Sequence, residues 1–367
     1  MDDKGPRVVV AGGHSAGHIE PAMNFADALR QLAPAAEVTA LGTVRGLDTT
    51  LIPARGYPLE LIPPAPLPRK ITRALLHTPS RLRDSIRAAG TVLDQVRADV
   101  VVGFGGYVAA PAYLAARRRG LPIVIHEANV RPGAANRLAA RLTSHVYTAS
   151  PTVRLKHGTP IGIPLRPAIT GLDRAQARDA ARQRFGLHTD APVLLVTGGS
   201  QGATAINAAA SGAATALRAA GVQVLHITGP QHSAEIETPE GDPPYVVLPY
   251  VDEMQHAYAA ADFAICRSGA MTCAELAAVG LPAAFVPLPD RGGEQRLNAG
   301  PIVAAGGALL VNELTPAWIE ATLLPILADP ARIAAMSARA SAAGAPGADT
   351  VLARHVLAIA ERHRPAR

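Results

Sequence analysis

Three stretches of this chain place small residues and hydroxyls directly after a run of aliphatics. The first is Gly12-Gly13-His14-Ser15-Ala16-Gly17-His18-Ile19-Glu20-Pro21, after Val8-Val9-Val10. The second is Gly198-Gly199-Ser200-Gln201-Gly202-Ala203, after Leu194-Leu195-Val196. The third runs from Arg267-Ser268-Gly269-Ala270-Met271-Thr272 to Glu275, after Phe263-Ala264-Ile265-Cys266. Glycine lets backbone N–H groups approach a ligand, and a helix that opens there turns its positive end toward an anion. Pro21 is placed to start the first helix. A strand–helix turn without a ligand fits that segment equally well. Ser200 can donate to a phosphate oxygen, but no Gly-Lys-Ser/Thr follows, so the second loop is not a P-loop. In the third stretch the spacing predicts a helix opening near Thr272. Glu275 would then sit on its first turn, there to accept both hydroxyls of a ribose or merely to complement the dipole. Gly293-Glu294-Gln295-Arg296-Leu297-Asn298 reads as a polar turn suited to sugar hydroxyls. Two further strand ends, Gly103-Phe104-Gly105-Gly106-Tyr107 and His126-Glu127-Ala128-Asn129, lie in the N-terminal half, and ligands gather at such ends.

The elements that must hold these residues follow from the hydrophobic pattern. Strands are expected at 7–11, 37–41, 99–104, 122–126, 193–197, 222–227, 245–248, 263–266 and 283–287, with helices at 21–32, 111–119 and from about 205. Continuous apolar strands alternating with helices imply parallel sheets covered on both faces. Each half opens with strand, Gly-Gly and helix, so the economical architecture is α/β, with two Rossmann-like domains facing a central cleft. A length of 367 residues suits two domains better than one core. The Pro/Gly-rich segment 158–167 is a natural boundary. The expected division is an N-terminal domain 1–163, a C-terminal domain 164–347, and a closing helix within 348–367, after the Gly344-Ala345-Pro346-Gly347 break.

Composition narrows the classes. A 49% hydrophobic and 17% charged chain is not disordered, and a net charge of +6 suits anionic ligands without announcing nucleic acid. The two cysteines cannot form a disulfide framework or a CxxC site and read as buried hydrophobes of a reducing compartment. No apolar run is long enough to span a membrane, and the N-terminus lacks signal-peptide form. A cytosolic chain is therefore expected. The first loop fails the G-x-G-x-x-G fingerprint, and Leu41-Gly42-Thr43 offers no acid for a nicotinamide-dinucleotide ribose, which argues against an oxidoreductase.

Taken together in order, Gly17-His18 with Pro21, Gly105-Gly106-Tyr107, His126-Glu127 with Asn129, Gly198 to Ala203, Cys266 to Ala270 with Thr272 and Glu275, and Gln295 with Asn298 resemble the MurG family, actinobacterial type, over nearly the whole chain. The resemblance implies a GT-B glycosyltransferase fold and an inverting hexosyltransferase without a cofactor or metal. The implied reaction moves N-acetylglucosamine from UDP-GlcNAc to the C4 hydroxyl of N-acetylmuramic acid in lipid I, forming lipid II of peptidoglycan. Carried over, Ser15, Ala16, Gly17, Asn129, Arg166, Ser200, Val251, Ala270, Met271, Thr272, Glu275 and Gln295 would meet the donor. Arg166 and the Ser200 loop would neutralise the diphosphate, Glu275 would hold the ribose, and Val251 would frame the uracil. Asn129 and Gln295 would read the sugar, while Gly105, Gly106 and Tyr107 would form acceptor and diphosphate loops. His18 is the candidate general base, with a purely hydrogen-bonding role as the alternative, and Glu127 is a weaker candidate.

The chain departs from the family pattern at His14, Ser15, Ala128, Ile161, Ile163 and Glu294, which bears on the sugar contacts. Rival readings are another GT-B enzyme using a UDP- or dTDP-sugar and a soluble acceptor, and a non-catalytic UDP-sugar-binding protein. Between Arg69 and Arg87, the basic residues Arg69, Lys70, Arg73, Arg81, Arg83 and Arg87 face the single acid Asp84 and interleave with Ile71, Leu75, Leu76, Leu82 and Ile86. Arg117-Arg118-Arg119 lies in the same domain. An apolar stripe rimmed with charge suits peripheral binding to an anionic membrane at its cytoplasmic face. A solvated basic face over a core helix is the plainer reading. The resemblance also leaves room for other cell-wall and division proteins as partners.

Overall fold

The computed structural model describes residues 5–64, 78–234, 236, 241, 243–289 and 293–363. They form two compact units, one ending at Leu165 and taking up the chain again from Pro346, the other running from Arg166 to Ala345.

The first unit holds β1 (Arg7–Gly12), β2 (Glu37–Gly42), β3 (Leu59–Leu61), β4 (Val100–Gly105), β5 (Ile123–Glu127), β6 (His145–Thr148) and β7 (Gly158–Pro160). Its helices are α1 (Ala16–Leu32), α2 (Asp48–Ala54), α3 (Thr78–Gln95), α4 (Ala109–Arg118) and α5 (Ala134–Ala139). The sheet order is β3-β2-β1-β4-β5-β6-β7, parallel throughout. Alternate residues of β1 serve opposite faces: Val8 and Val10 pack with α1, while Val9 and Ala11 join a cluster with Leu93 of α3 and Tyr113 of α4. Both faces are therefore covered, which is why these strands carry no polar alternation. The C-terminal helix, Ala348–His363, packs on α1 and adds Leu352, Val356 and Ala360 to the first of these clusters.

The second unit repeats the plan with β8 (Val193–Thr197), β9 (Gln223–Ile227), β10 (Tyr245–Leu248), β11 (Phe263–Cys266), β12 (Ala283–Phe285) and β13 (Ala308–Leu310). The helices used below are α6 (Pro167–Thr170), α7 (Arg174–Arg184), α8 (Thr204–Gly212), α9 (Ala214–Ala219), α10 (Met254–Ala260), α11 (Ala270–Ala278) and α12 (Glu294–Ala304). The order β10-β9-β8-β11-β12-β13 is again parallel. In each sheet the chain reverses its direction of growth beside the first strand of the unit, between β1 and β4 and between β8 and β11. A crevice opens at the carboxyl ends of the strands at such a switch point. The glycine-rich loops after β1, β4, β8 and β11 all stand there.

Several expectations change. The first helix starts at Ala16, so Pro21 lies inside α1. Lacking an N–H, it leaves the Gly17 carbonyl without its partner in the next turn. α11 opens at Ala270, which moves Glu275 off the first turn and removes the simple dipole explanation. The supposed polar turn at 293–298 is the start of α12, capped by Gly293 at φ 61°. Residues 158–160 of the Pro/Gly-rich boundary segment form a strand, and the last helix runs Ala348–His363. Leu82 and Ile86 of α3 pack into the core with Ala89 and Leu93, so they are not a membrane-facing stripe. Arg69, Lys70, Ile71, Arg73, Leu75 and Leu76 lie outside the described residues.

Candidate functional site

At the first switch point the loops after β1 and β4 meet back to back. A Cβ at Gly106, whose φ is +82°, would lie 2.5 Å from the Gly13 carbonyl oxygen, so only glycine fits. His14 adopts φ 78°, a glycine-type conformation, which accounts for the family's usual glycine at that position in the resemblance. Its backbone is held there by Asp48, which accepts from His14 N through Oδ1 and from Thr43 N through Oδ2 at 2.8 Å. Asp48 is fully buried, and it ties the loop after β1 to the loop after β2. The His14 ring meets Tyr107 edge-on, with centroids 5.0 Å apart.

His18 lies in the first turn of α1, half-buried, with its ring against Gly105. A Cβ there would be 3.0 Å from His18 Cδ2 and 3.2 Å from Nε2. Ser15 Oγ is 3.0 Å from His18 Nδ1. If Nδ1–H donates to Ser15, Nε2 carries the lone pair and is the basic atom. Burial lowers the His18 pKa first, His14 adds to the lowering, and the Asp48 carboxylate opposes both.

The end of β5 behaves differently. Glu127 is 3% exposed and accepts from Asn129 N at 3.0 Å, Gly133 N at 2.9 Å and Asn136 Nδ2 at 2.9 Å. Asn136 in turn accepts from the buried Tyr113 hydroxyl at 2.7 Å. The carboxylate thus organises the loop that carries Asn129. His126 Nε2 is 2.8 Å from the Gly162 carbonyl oxygen, and burial pushes its pKa down to about 4, so it stays neutral in the core.

In the second unit, the loop after β8 folds tightly. A Cβ at Gly202 would lie 2.1 Å from the Thr228 carbonyl oxygen, and φ there is +75°. This pinch leaves Ser200 exposed at the tip. After β11, Arg267 donates to the Val286 and Pro287 carbonyls at 3.0 and 3.1 Å, fixing the strand end to its neighbour. Gly269 then caps α11 with no side-chain bond, and the first N–H groups of Ala270, Met271 and Thr272 have no carbonyl partner within the helix. Unpartnered N–H groups at a helix start are of the kind that can receive an anion, and these stand at the second switch point. Arg166 is half-buried at the N-cap of α6, close enough to Tyr258 to influence its ionisation. Gln295, in the first turn of α12, accepts from Leu288 N at 2.9 Å. Val251 is half-buried in the loop between β10 and α10.

Of the expected donor residues, Ser15, Ala16, Gly17 and Asn129 therefore belong to the first unit and the remainder to the second. The sequence reading missed Asp48 and Tyr258, whose hydroxyl donates to Glu275. Neither had a local signal: Asp48 follows an unremarked Leu47, and Tyr258 sits in an alanine-rich helix. Among the described residues, no three His, Cys, Asp or Glu side chains are placed to hold a metal ion.

Two parallel-sheet Rossmann-like units with glycine-rich loops at both switch points define the GT-B class of glycosyltransferases. Residues 8–148 match the Glycosyltransferase family 28 N-terminal domain and residues 193–351 its C-terminal domain. A Thermobifida fusca protein named UDP-N-acetylglucosamine--N-acetylmuramyl-(pentapeptide) pyrophosphoryl-undecaprenol N-acetylglucosamine transferase is 58% identical, covering 98% of this chain and 96% of its own. Its Streptomyces avermitilis namesake is 55% identical, covering 97% and 99%. The crystal structure of Acinetobacter baumannii MurG superposes with a TM-score of 0.76 at 27% identity, over 98% of this chain and 99% of that one. The chain belongs to this family of UDP-N-acetylglucosamine transferases, the MurG family.

Proposed function

We propose that the chain transfers N-acetylglucosamine from UDP-GlcNAc to the C4 hydroxyl of lipid I, with inversion, to give lipid II. The observation that carries this reading is that four of the six motif segments follow β1, β4, β8 and β11, the strands flanking both switch points, while the other two follow the neighbouring strands β5 and β12. In the second unit, the N-terminus of α11, the Ser200 loop and Arg166 neutralise the diphosphate, Glu275 takes the ribose, and Val251 and Gln295 border the uracil and the sugar. In the first unit, His18 Nε2 accepts the proton of the C4 hydroxyl as its oxygen attacks the anomeric carbon. The bond from that carbon to UDP breaks, and the diphosphate keeps the electron pair. Stabilising the leaving charge with fixed N–H groups and a guanidinium costs no reorganisation at the moment of reaction. Asn129, presented by the Glu127-organised loop, reads the transferred sugar. Incubating UDP-[14C]GlcNAc with a lipid I analogue should move label into the lipid fraction. Label that stays with UDP-GlcNAc, or that moves only to soluble acceptors, overturns the reading.

The acceptor's prenyl chain resides in the bilayer, so the enzyme must work at a membrane surface. No described helix is long and apolar enough to cross one. Basic side chains supply the attraction to the cytoplasmic face: Arg81, Arg83 and Arg87 are exposed on α3, and Arg117 and Arg118 are exposed on α4, which packs beside it. Each well-placed arginine contributes about 1 kcal/mol near anionic lipid and is screened by salt. Flotation should recover the protein with phosphatidylglycerol vesicles at low salt and release it at high salt. Equal binding to neutral vesicles, or none to either, sinks the charge-based account.

A further inference from the structure

Tyr258 takes no part in the reading above, yet its phenol touches the residue assigned to the ribose. It sits on α10, is 3% exposed, and donates to Glu275 Oε2 across the gap to α11 at 2.7 Å. Burial raises the phenol's pKa well above the ordinary value, and the Glu275 carboxylate pushes the same way, so the hydroxyl keeps its proton and remains a donor. The backbone beneath is tied down as well. Arg174 Nε donates to the Tyr258 carbonyl at 3.1 Å, and its Nη1 donates at 2.9 Å to the carbonyl of Gly280, just past α11. Arg182 Nε donates to the Ala260 carbonyl at 3.0 Å. Arg174 thereby links the C-terminal ends of the two helices that carry Tyr258 and Glu275.

A glutamate arm has several rotors, and one carboxylate meets two vicinal hydroxyls only in a restricted orientation. An ionised carboxylate offers about four acceptor sites, more than the phenol alone takes up. We infer that Tyr258 is a positioning residue of the donor site: its hydroxyl, 2.7 Å from Glu275 Oε2, sets the Glu275 carboxylate in the orientation that takes the ribose 2′ and 3′ hydroxyls of a uridine diphosphate sugar. The inference rests on the assignment of Glu275 to the ribose. A merely structural tyrosine would support the pocket for any uridine ligand alike, whereas a positioning one acts only through the ribose hydroxyls.

Calorimetric titration of the full chain with UDP and with 2′,3′-dideoxy-UDP separates these cases. Tyr258→Phe, which removes a single oxygen, should weaken UDP by about tenfold and leave the dideoxy ligand unchanged. Glu275→Ala should abolish the preference for UDP, and adding Tyr258→Phe to it should cost UDP nothing more. Equal weakening of both ligands by Tyr258→Phe, or no weakening of UDP, overturns the positioning role. Full preference for UDP in Glu275→Ala instead removes the ribose assignment itself. Thermal unfolding followed by circular dichroism establishes that the variants are compared as folded proteins.

Discussion

Replacing His18 with alanine is expected to lower kcat by about 10²- to 10⁴-fold, the range a positioned general base contributes, while UDP affinity stays near that of the parent. The ring's surroundings specify how the loss should depend on pH. Burial and the neighbouring His14 lower the His18 pKa, with only partial opposition from Asp48. The neutral, proton-accepting form therefore survives to lower pH than an ordinary imidazole would allow. The acid limb of kcat in the parent enzyme should have its midpoint below about 6.5, and that limb should vanish in His18→Ala. Ser15→Ala frees Nδ1 from its 3.0 Å contact and should reduce kcat less, because the lone pair on Nε2 remains one tautomer of the neutral ring. A pH profile of lipid I turnover for the parent and His18→Ala decides the matter. Near-normal turnover by the alanine variant ends the base role.

The sequence made the site legible where chemistry coincided with a strong local pattern. Val8 to Val10, Leu194 to Val196 and Phe263 to Cys266 are central strands buried on both faces, so they read as unbroken apolar runs with a glycine within three residues of their ends. Edge strands gave less. Leu59–Leu61 and Gly158–Pro160 are three residues long and largely exposed, too short and too wet for periodicity to register. On α3 the pattern was real but its direction was not readable. Leu82 and Ile86 at helical spacing mark one face, and only the tertiary fold turns that face toward Ala89 and Leu93 rather than a bilayer. Pro21 misled because proline is commonest at a helix start, whereas here α1 gives up one backbone bond, at Gly17, and begins at Ala16. Asp48 and Tyr258 were invisible for a different reason. Each acts across sequence, Asp48 on His14 34 residues away and Tyr258 on Glu275 17 residues away, and no local pattern encodes such a pairing.

Glu127 offers the sharpest contrast between a catalytic and an architectural carboxylate. Its two oxygens receive the Asn129 and Gly133 backbone N–H groups and the Asn136 amide, all within 3.0 Å, in a site 3% exposed. A base needs an oxygen that reaches the acceptor hydroxyl, whereas this carboxylate is the hub of its own loop. Glu127→Ala strands the buried Asn136 amide, while the Asn129 and Gly133 N–H groups are only part-buried and open to water, so a loss of about 1–3 kcal/mol in stability is expected. Turnover should fall as the Asn129 loop loses order. Glu127→Gln keeps the volume and one acceptor oxygen but turns an amide N–H₂ toward another donor, so it should lie between parent and alanine in both stability and activity. The acid limb set by His18 should keep its midpoint in both variants, since neither removes the imidazole. Urea unfolding alongside the kcat profile tests all of this together. A Glu127→Gln enzyme as stable as the parent but slower by about 10²-fold or more would transfer the base role from His18 to Glu127.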